Sequence, residues 1–183
     1  MKPNIGAGDK GRTSLIGKNI DKTNLRISCI GNADELNAFL GLVRSRLSDD
    51  KRMTDINNAL EKIQQDIFLI GSNLANIEYH KSIKKITMNH VKFLEDKLQL
   101  FEKELETLAK FILPGGTKTA SLLHISRAVC RRLERNLHLL LKKGKIDESI
   151  LSYVNRLSDL LFELARVVNK RSHVKEVEWV GRQ

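Results

Sequence analysis

Apolar residues recur along this chain with the 3.6-residue period of amphipathic helices in five separate stretches. In the first, Asn32 is placed to cap a helix with Asp34 and Glu35 in its opening turn. Leu36, Phe39, Leu40 and Val43 form its apolar face, and it should end near Leu47. After the polar loop Ser48–Arg52, a second helix is predicted from about Thr54 to Tyr79 on Ile56, Leu60, Ile63, Ile67, Ile70 and Leu74. The basic connection 80–86 leads to a third, about Thr87–Ala109, carrying Val91, Leu94, Leu98, Phe101, Leu105 and Leu108. Pro114-Gly115-Gly116 breaks the backbone, and Thr117 caps a fourth helix reaching Leu141 with Leu122, Ile125, Val129, Leu133 and Leu140 inward. Lys142-Lys143-Gly144-Lys145 closes it, with glycine as C-cap. Asp147 opens the fifth, which runs to about Lys170 on Ile150, Val154, Leu157, Leu161, Leu164 and Val168. Five helices on short links predict an all-α antiparallel bundle.

The two ends depart from this pattern. Residues 1–30 do not read as helix, and Gly6, Gly8, Gly11 and Gly17 fall close together. Gly6 to Gly11 formally matches GxGxxG, but no strand precedes it and no helix follows directly, so the dinucleotide reading fails. It is not a P-loop, because no GK[ST] closes it. A glycine-rich loop with hydroxyls at Thr13 and Ser14 and nearby Lys10, Lys18 and Lys22 can cradle an anion; the same composition suits a flexible arm. The tail Ser172–Gln183, with the sole tryptophan at Trp179, is expected to be only partly ordered.

The fourth helix carries a second pattern. His124, Arg127, Arg131, Arg135 and His138 follow one another at spacings of three and four, opposite the apolar stripe, with Arg132 and Glu134 beside them. Guanidinium groups are rigid forks that grip phosphate or carboxylate through paired hydrogen bonds and stay charged in any site. The spacing equally suits a solvated face laced with i,i+4 pairs. On the fifth helix, Asn155, Asp159, Phe162 and Arg166 line the face away from the core in the same way.

Composition narrows the partners. The 183 residues fit one domain, and 41% hydrophobic content supports a sizeable core. A net charge of +10 points to an anionic partner such as a nucleotide, a nucleic acid or an acidic surface. Aromatics are only 5%, poor material for a base-stacking platform. Cys29 and Cys130 are far apart and form no metal motif, as expected of reduced thiols in a cytoplasmic protein. No signal core or membrane-length apolar run is evident.

Several motifs in this order resemble those of the PduO-type ATP:cob(I)alamin adenosyltransferases over nearly the whole chain. They are GDKGRTSLIG at 8–17, Lys22 and Arg26, GNADELNAFLGL at 31–42, FILPGGT at 111–117, SRAVCRRLER at 126–135 and YVNRLSDLLFELAR at 153–166. The resemblance implies a homotrimer of five-helix bundles, each 1–183 chain a single domain made of a nucleotide-binding arm (1–30), a bundle (31–171) and a tail (172–183). ATP would lie at each subunit interface, between the arm of one chain and the arginine helix of its neighbour. Carried over by motif, Gly6, Gly8, Asp9, Gly11, Thr13, Ser14 and Lys22 would bind ATP, with Arg131, Arg132, Glu134, Arg135 and Asn155. Arg127 and Asp34 match a pair that joins adjacent subunits. Phe111 matches an aromatic that displaces the lower axial ligand of the corrinoid. Three departures stand out: Ile5-Gly6-Ala7 replaces a family T-[KR]-[TG], removing two hydroxyls and a cation, while Asn19 replaces an arginine and Ile30 an aromatic.

The implied reaction is attack by cob(I)alamin on C5′ of ATP, giving adenosylcobalamin and tripolyphosphate. Cobalt(I) is itself a strong nucleophile, which suits a sequence without a credible nucleophilic triad. Arg131, Arg135, Lys22 and Mg²⁺ carried with ATP would stabilise the leaving triphosphate, with no metal held by protein ligands alone. The corrinoid, as cob(I)alamin or cob(II)alamin, is substrate. A reductase and an adenosylcobalamin-dependent enzyme are candidate partners, and neither nucleic acid nor membrane is expected. The competing class is a basic helical module binding nucleic acid or a protein, against which low aromatic content and Glu134 both count.

Overall fold

A computed structural model describes residues 5–6, 8–16, 18–78, 80–143 and 146–181. The arm folds as a hairpin in which β1 (Arg12–Leu15) pairs antiparallel with β2 (Lys18–Asp21), Thr13 opposite Ile20. The Asp21 carboxylate accepts from the Thr23 amide (2.8 Å) and hydroxyl (2.7 Å), which holds its pKa below the ordinary value. That turn delivers the chain to α1 (Leu25–Leu47), which begins eight residues earlier than the Asn32 cap predicts. Asn24 is the actual cap, accepting from the Arg26 amide at 2.9 Å. Gly31 and Asn32 sit inside the helix, and Asn32 instead accepts from Asn136 at 2.9 Å.

A short 3₁₀ turn (Lys51–Met53) leads into α2 (Thr54–Ala75), followed by α3 (Met88–Glu102), α4 (Lys118–Leu141) and α5 (Glu148–Arg171). The fold is therefore mostly helical, as read, with a small hairpin added. In the core, α4 packs on α1 and α5, with α2 against α1 and α3 against α5. Leu36, Leu40, Ile63, Leu94, Leu133, Leu157 and Leu161 all become inaccessible there. Antiparallel register of α1 and α4 is pinned by Asn32–Asn136 and by the ion pair of Glu35 with Arg132.

Two helices end early because polar groups capture their backbones. Helix α2 stops at Ala75, where buried Asn76 accepts from the His80 amide (2.8 Å) and donates to the His80 carbonyl (3.1 Å). Helix α3 stops at Glu102, short of Ala109. Arg166 takes the Glu106 carbonyl at 2.8 Å, Lys170 takes that of Glu104, and Arg171 grips the Glu104 carboxylate. Leu108 accordingly leaves the core and is exposed. Gly17 of the glycine-rich stretch, Tyr79 at the expected end of the second helix, and Gly144 and Lys145 of the expected C-cap lie outside the described residues, as does Ala7.

The tail is part of the fold. The Leu113 amide donates to the Val177 carbonyl (2.8 Å) and the Trp179 amide to the Phe111 carbonyl (2.7 Å), with Ile112 bridged to Glu178. Lys110 pairs with Glu178 at 3.0 Å. Nearer its root, the tail's Glu176 meets buried Arg166 at 3.2 Å, so Arg166 lies inside the protein and not on the outer face expected of it. Among the described residues, no helix is long and apolar enough to cross a membrane.

Candidate active site

Three groups of side chains emerge, each built by a different part of the fold. The first is the glycine loop. Its backbone closes on itself: the Asp9 amide donates to the Gly6 carbonyl (3.2 Å), the Gly11 amide to that of Gly8 (3.2 Å) and the Lys22 amide to that of Gly11 (2.8 Å). Two loop amides are thus spent on turns, and an anion there would meet side chains more than these amides. The cation is in place, since a Cβ on Gly8 would lie 2.7 Å from the Lys22 ammonium. Thr13 and Ser14 follow on β1, half-buried and exposed respectively.

The second group is the α4 stripe. Arg131 and Arg135 are exposed and have no ion-pair or hydrogen-bond partner among the described residues. Arg132, one residue round the helix, is neutralised by Glu35 of α1. Glu134 accepts from Asn155 of α5 at 2.8 Å, bringing together two residues on successive helices that lie 21 positions apart in the chain. No hydrogen bond or ion pair among the described residues links Lys22 or the glycine loop to Arg131 or Arg135.

The third group is a groove of ≈ 540 Å³ lined by Leu108, Ala109, Lys110, Phe111, Ile112, Pro114, Arg127 and Phe162. Phe111 is 80% exposed and packs edge-on against Trp179, with ring centroids 6.5 Å apart. On the opposite wall the Phe162 ring is flanked by the guanidinium groups of Arg127 (5.7 Å) and Arg166 (6.0 Å) and by the His124 ring (6.0 Å). Arg127 is half-buried with no carboxylate partner among the described residues, and its buried Nε is unpaired. Desolvation, then the charge of Arg131 one turn on, lowers its pKa. Asp34 lies exposed on α1, at the edge of a second, largely apolar groove with Ile30, Ile67 and Phe68. The α1–α4 register sets Arg127 level with Leu40, about 9 Å along the axis from Asp34, so the two do not meet within the chain.

The sequence model of the family described as cobalamin adenosyltransferase matches residues 4–168. This chain belongs to that family. It is 45% identical to the corrinoid adenosyltransferase of Bacillus subtilis over 179 residues, spanning 98% of this chain and 92% of the relative. It is 41% identical to the cobalamin adenosyltransferase of Cupriavidus metallidurans, spanning 94% and 90%. Among solved structures, it superposes on a PduO-type ATP:corrinoid adenosyltransferase of Lactobacillus reuteri, a phenylalanine-to-histidine variant complexed with cobalamin and ATP. The TM-score is 0.90 at 32% identity, covering 100% of this chain and 98% of the other. An arginine-to-lysine variant of the L. reuteri enzyme complexed with ATP superposes with a TM-score of 0.89 at 34% identity, covering 97% and 100%.

Sequence reading of this adenosyltransferase misplaced two side chains of the arginine helix. Ile125, assigned to the core, is 44% exposed, and His124, assigned to the outer stripe, is buried. The helix turns its small and polar residues Ala120, His124 and Ser126 inward, His124 against the Phe162 ring of α5 and Ser126 donating to the Leu122 carbonyl of its own helix. Two residues that support the groove from outside its lining have no site role in the sequence reading: Asn169, which holds the Gly115–Thr117 turn, and Trp179, which packs on Phe111. A buried asparagine at the end of an apolar stripe gives no periodic signal, and Trp179 was discounted with the tail.

Proposed function

We propose that this chain transfers the 5′-deoxyadenosyl group of ATP to the cobalt of cob(I)alamin, releasing tripolyphosphate and forming adenosylcobalamin. The observation that carries the detailed reading is the groove that sets an exposed aromatic, Phe111, opposite half-buried, unpaired Arg127. An apolar rim suits a corrin face, and an unpaired, partly desolvated guanidinium calls for an anion.

The rest of the site follows from charge and reach. The arm of one subunit, through Gly6, Gly8, Asp9, Gly11, Thr13, Ser14 and Lys22, holds the triphosphate. Arg131, Arg132, Glu134, Arg135 and Asn155 of a neighbour complete the pocket; Arg131 and Arg135 are exposed and have no partner among the described residues of their own chain, which leaves both forks for phosphate. Glu134 and Asn155, already bonded to each other, offer their remaining polar atoms to ATP beside Arg131 and Arg135. Asp34 reaches Arg127 of the adjacent subunit and supplies its missing counter-charge, so the working form is a homotrimer. The whole chain acts as one domain of arm, bundle and tail.

The protein need supply no nucleophile, since the reduced corrinoid brings its own. Arg131 and Arg135 place two fixed cations where charge grows on the departing triphosphate. Among the described residues no cluster of acidic, histidine or cysteine side chains could hold a metal. Mg²⁺ carried by the phosphates would add further positive charge there. Phe111 occupies the lower axial side of the corrinoid, excludes the base from cobalt and thereby eases reduction of Co(II). A reductase supplies the electron, and an enzyme that uses adenosylcobalamin takes the product.

A nucleic-acid module is the weaker reading. Glu35 neutralises Arg132, and Glu134 interrupts what would be a phosphate-tracking stripe. The deciding experiment incubates the protein with Mg·ATP and chemically reduced cobalamin and follows Co–C bond formation by absorbance and tripolyphosphate by chromatography. Stoichiometric appearance of both supports the reading. Salt-sensitive duplex DNA binding without either product would replace it.

A further inference from the structure

The segment bearing Phe111 is held from behind by one buried amide. Asn169, near the end of α5, is 1% exposed. Its Oδ1 accepts from the Thr117 amide at 2.9 Å and its Nδ2 donates to the Gly115 carbonyl at 3.0 Å. Backbone N–H can only donate and C=O can only accept, so these two groups together demand one acceptor and one donor from the same side chain. Aspartate lacks the donor and leucine lacks both. Gly116 arches over the amide at φ +104°, where a Cβ would lie 2.2 Å from Oδ1. Glycine is required there both by the turn and by the closeness of this side chain.

The same residue roots the opposing strand. The Asn169 carbonyl accepts from the Val174 amide at 2.9 Å, where the tail turns back. From that root the tail runs alongside the Phe111 segment, joined by Leu113–Val177 and Phe111–Trp179 hydrogen bonds. Both sides of the ladder that carries Phe111 therefore start at Asn169, one from its side chain and one from its backbone.

We propose that Asn169 is a positioning residue for the corrinoid half-site, setting the height and direction of Phe111 against the Arg127–Phe162 wall. This rests on the reading of Phe111 as the group that excludes the lower ligand. A purely structural asparagine would affect stability and every activity alike. A positioning residue acts selectively, because Co(I) has no axial base to displace whereas Co(II) does.

The test uses full-length Asn169→Ala and Asn169→Asp, with Phe111→Ala alongside. Asn169→Asp keeps size and the acceptor to Thr117 but sets a carboxylate oxygen against the Gly115 carbonyl, so it is a second, differently disturbed variant if the alanine variant fails to fold. Each is assayed from cob(II)alamin plus reductant and from pre-reduced cob(I)alamin, and the base-off fraction of bound cob(II)alamin is read by electron paramagnetic resonance with Mg·ATP. The expected result is a loss of about tenfold or more from cob(II)alamin, since ångström-scale misplacement costs up to about 100-fold. The base-off fraction should fall in parallel, with the cob(I)alamin rate and ATP affinity held within about twofold, a shift of less than about 0.5 kcal/mol. Equal losses on both routes, or an unchanged base-off fraction, overturn the proposal. If Phe111→Ala too leaves that fraction unchanged, the reading of Phe111 has failed and takes the proposal with it. If Phe111→Ala lowers it and the Asn169 variants do not, only the role of Asn169 is lost.

Discussion

Arg127 lies over the face of Phe162, its guanidinium carbon 5.7 Å from the ring centroid, and no carboxylate among the described residues neutralises it. The ring cannot replace a counter-ion for a half-buried cation, and the neighbouring Arg131 adds repulsion. Asp34, exposed on α1 and without an ion-pair partner among the described residues, is the counter-charge we propose for it from the adjacent subunit. Light scattering at micromolar concentration should give the mass of three chains. Asp34→Ala and Arg127→Ala should each slow adenosylation, with the double variant costing less than the sum, because one interaction is removed twice. Strictly additive losses, or a monomer, would sink the shared site.

Arg131 is exposed and pairs with nothing among the described residues, so it contributes little to folding. Arg131→Lys keeps the charge and loses the two-pronged fork. Losing a charge-assisted hydrogen bond of about 2–3 kcal/mol corresponds to roughly 30- to 150-fold in rate. The melting temperature should hold steady and ATP should still bind. A solvated surface arginine would show no loss of rate, which single-turnover measurements resolve.

His124 is buried against Phe162 with both ring nitrogens unpaired among the described residues. Desolvation, then the charge of Arg127, lowers its pKa from the ordinary 6.5. As pH falls through that ordinary value, the unfolded chain takes a proton that the folded chain refuses, so stability is lost toward acid until the lower folded value is passed. His124→Leu should flatten the fall in urea midpoint between about pH 7 and pH 5, the span in which a free imidazole titrates. An unchanged slope would show that this imidazole does not carry the acid sensitivity.

Arg171 ties three elements together. It bonds both oxygens of Asp55 (2.7 and 2.8 Å), both of Glu104 (3.0 and 2.5 Å) and the Arg52 carbonyl (2.7 Å), over the Phe101 ring. Asp55 is held below its ordinary pKa chiefly by this arginine. Arg171→Ala should cost about 2 kcal/mol, a figure already reduced for the partial exposure of both acids. The Asp55 share is present above the ordinary carboxylate range and is lost as pH falls through its depressed folded value, so the penalty should shrink in strong acid. ATP affinity should not move; a change there would place Arg171 in the site.

What sequence alone determined was whatever repeats locally. The 3.6-residue stripes of α2 and α5 are legible because burial of one face imposes a period, and Ile56 to Leu74 and Ile150 to Val168 are indeed all buried. The motifs also disclosed the family, since GDKG, DELN, LPGG and the arginine run each keep their order and separation. Period says nothing about where a helix yields to a competing partner. Asn24 capped α1 ahead of Asn32, and the basic residues of α5 drew the Glu104 and Glu106 carbonyls out of α3. Only the folded chain could reveal that Asn169 fits beneath Gly116, that the tail pairs with the Phe111 segment, and that His124 turns inward while Ile125 turns out. Each depends on shape and hydrogen-bond complementarity between residues about 40 to 70 positions apart, and such matches leave no trace in the order of apolar and polar side chains along one element.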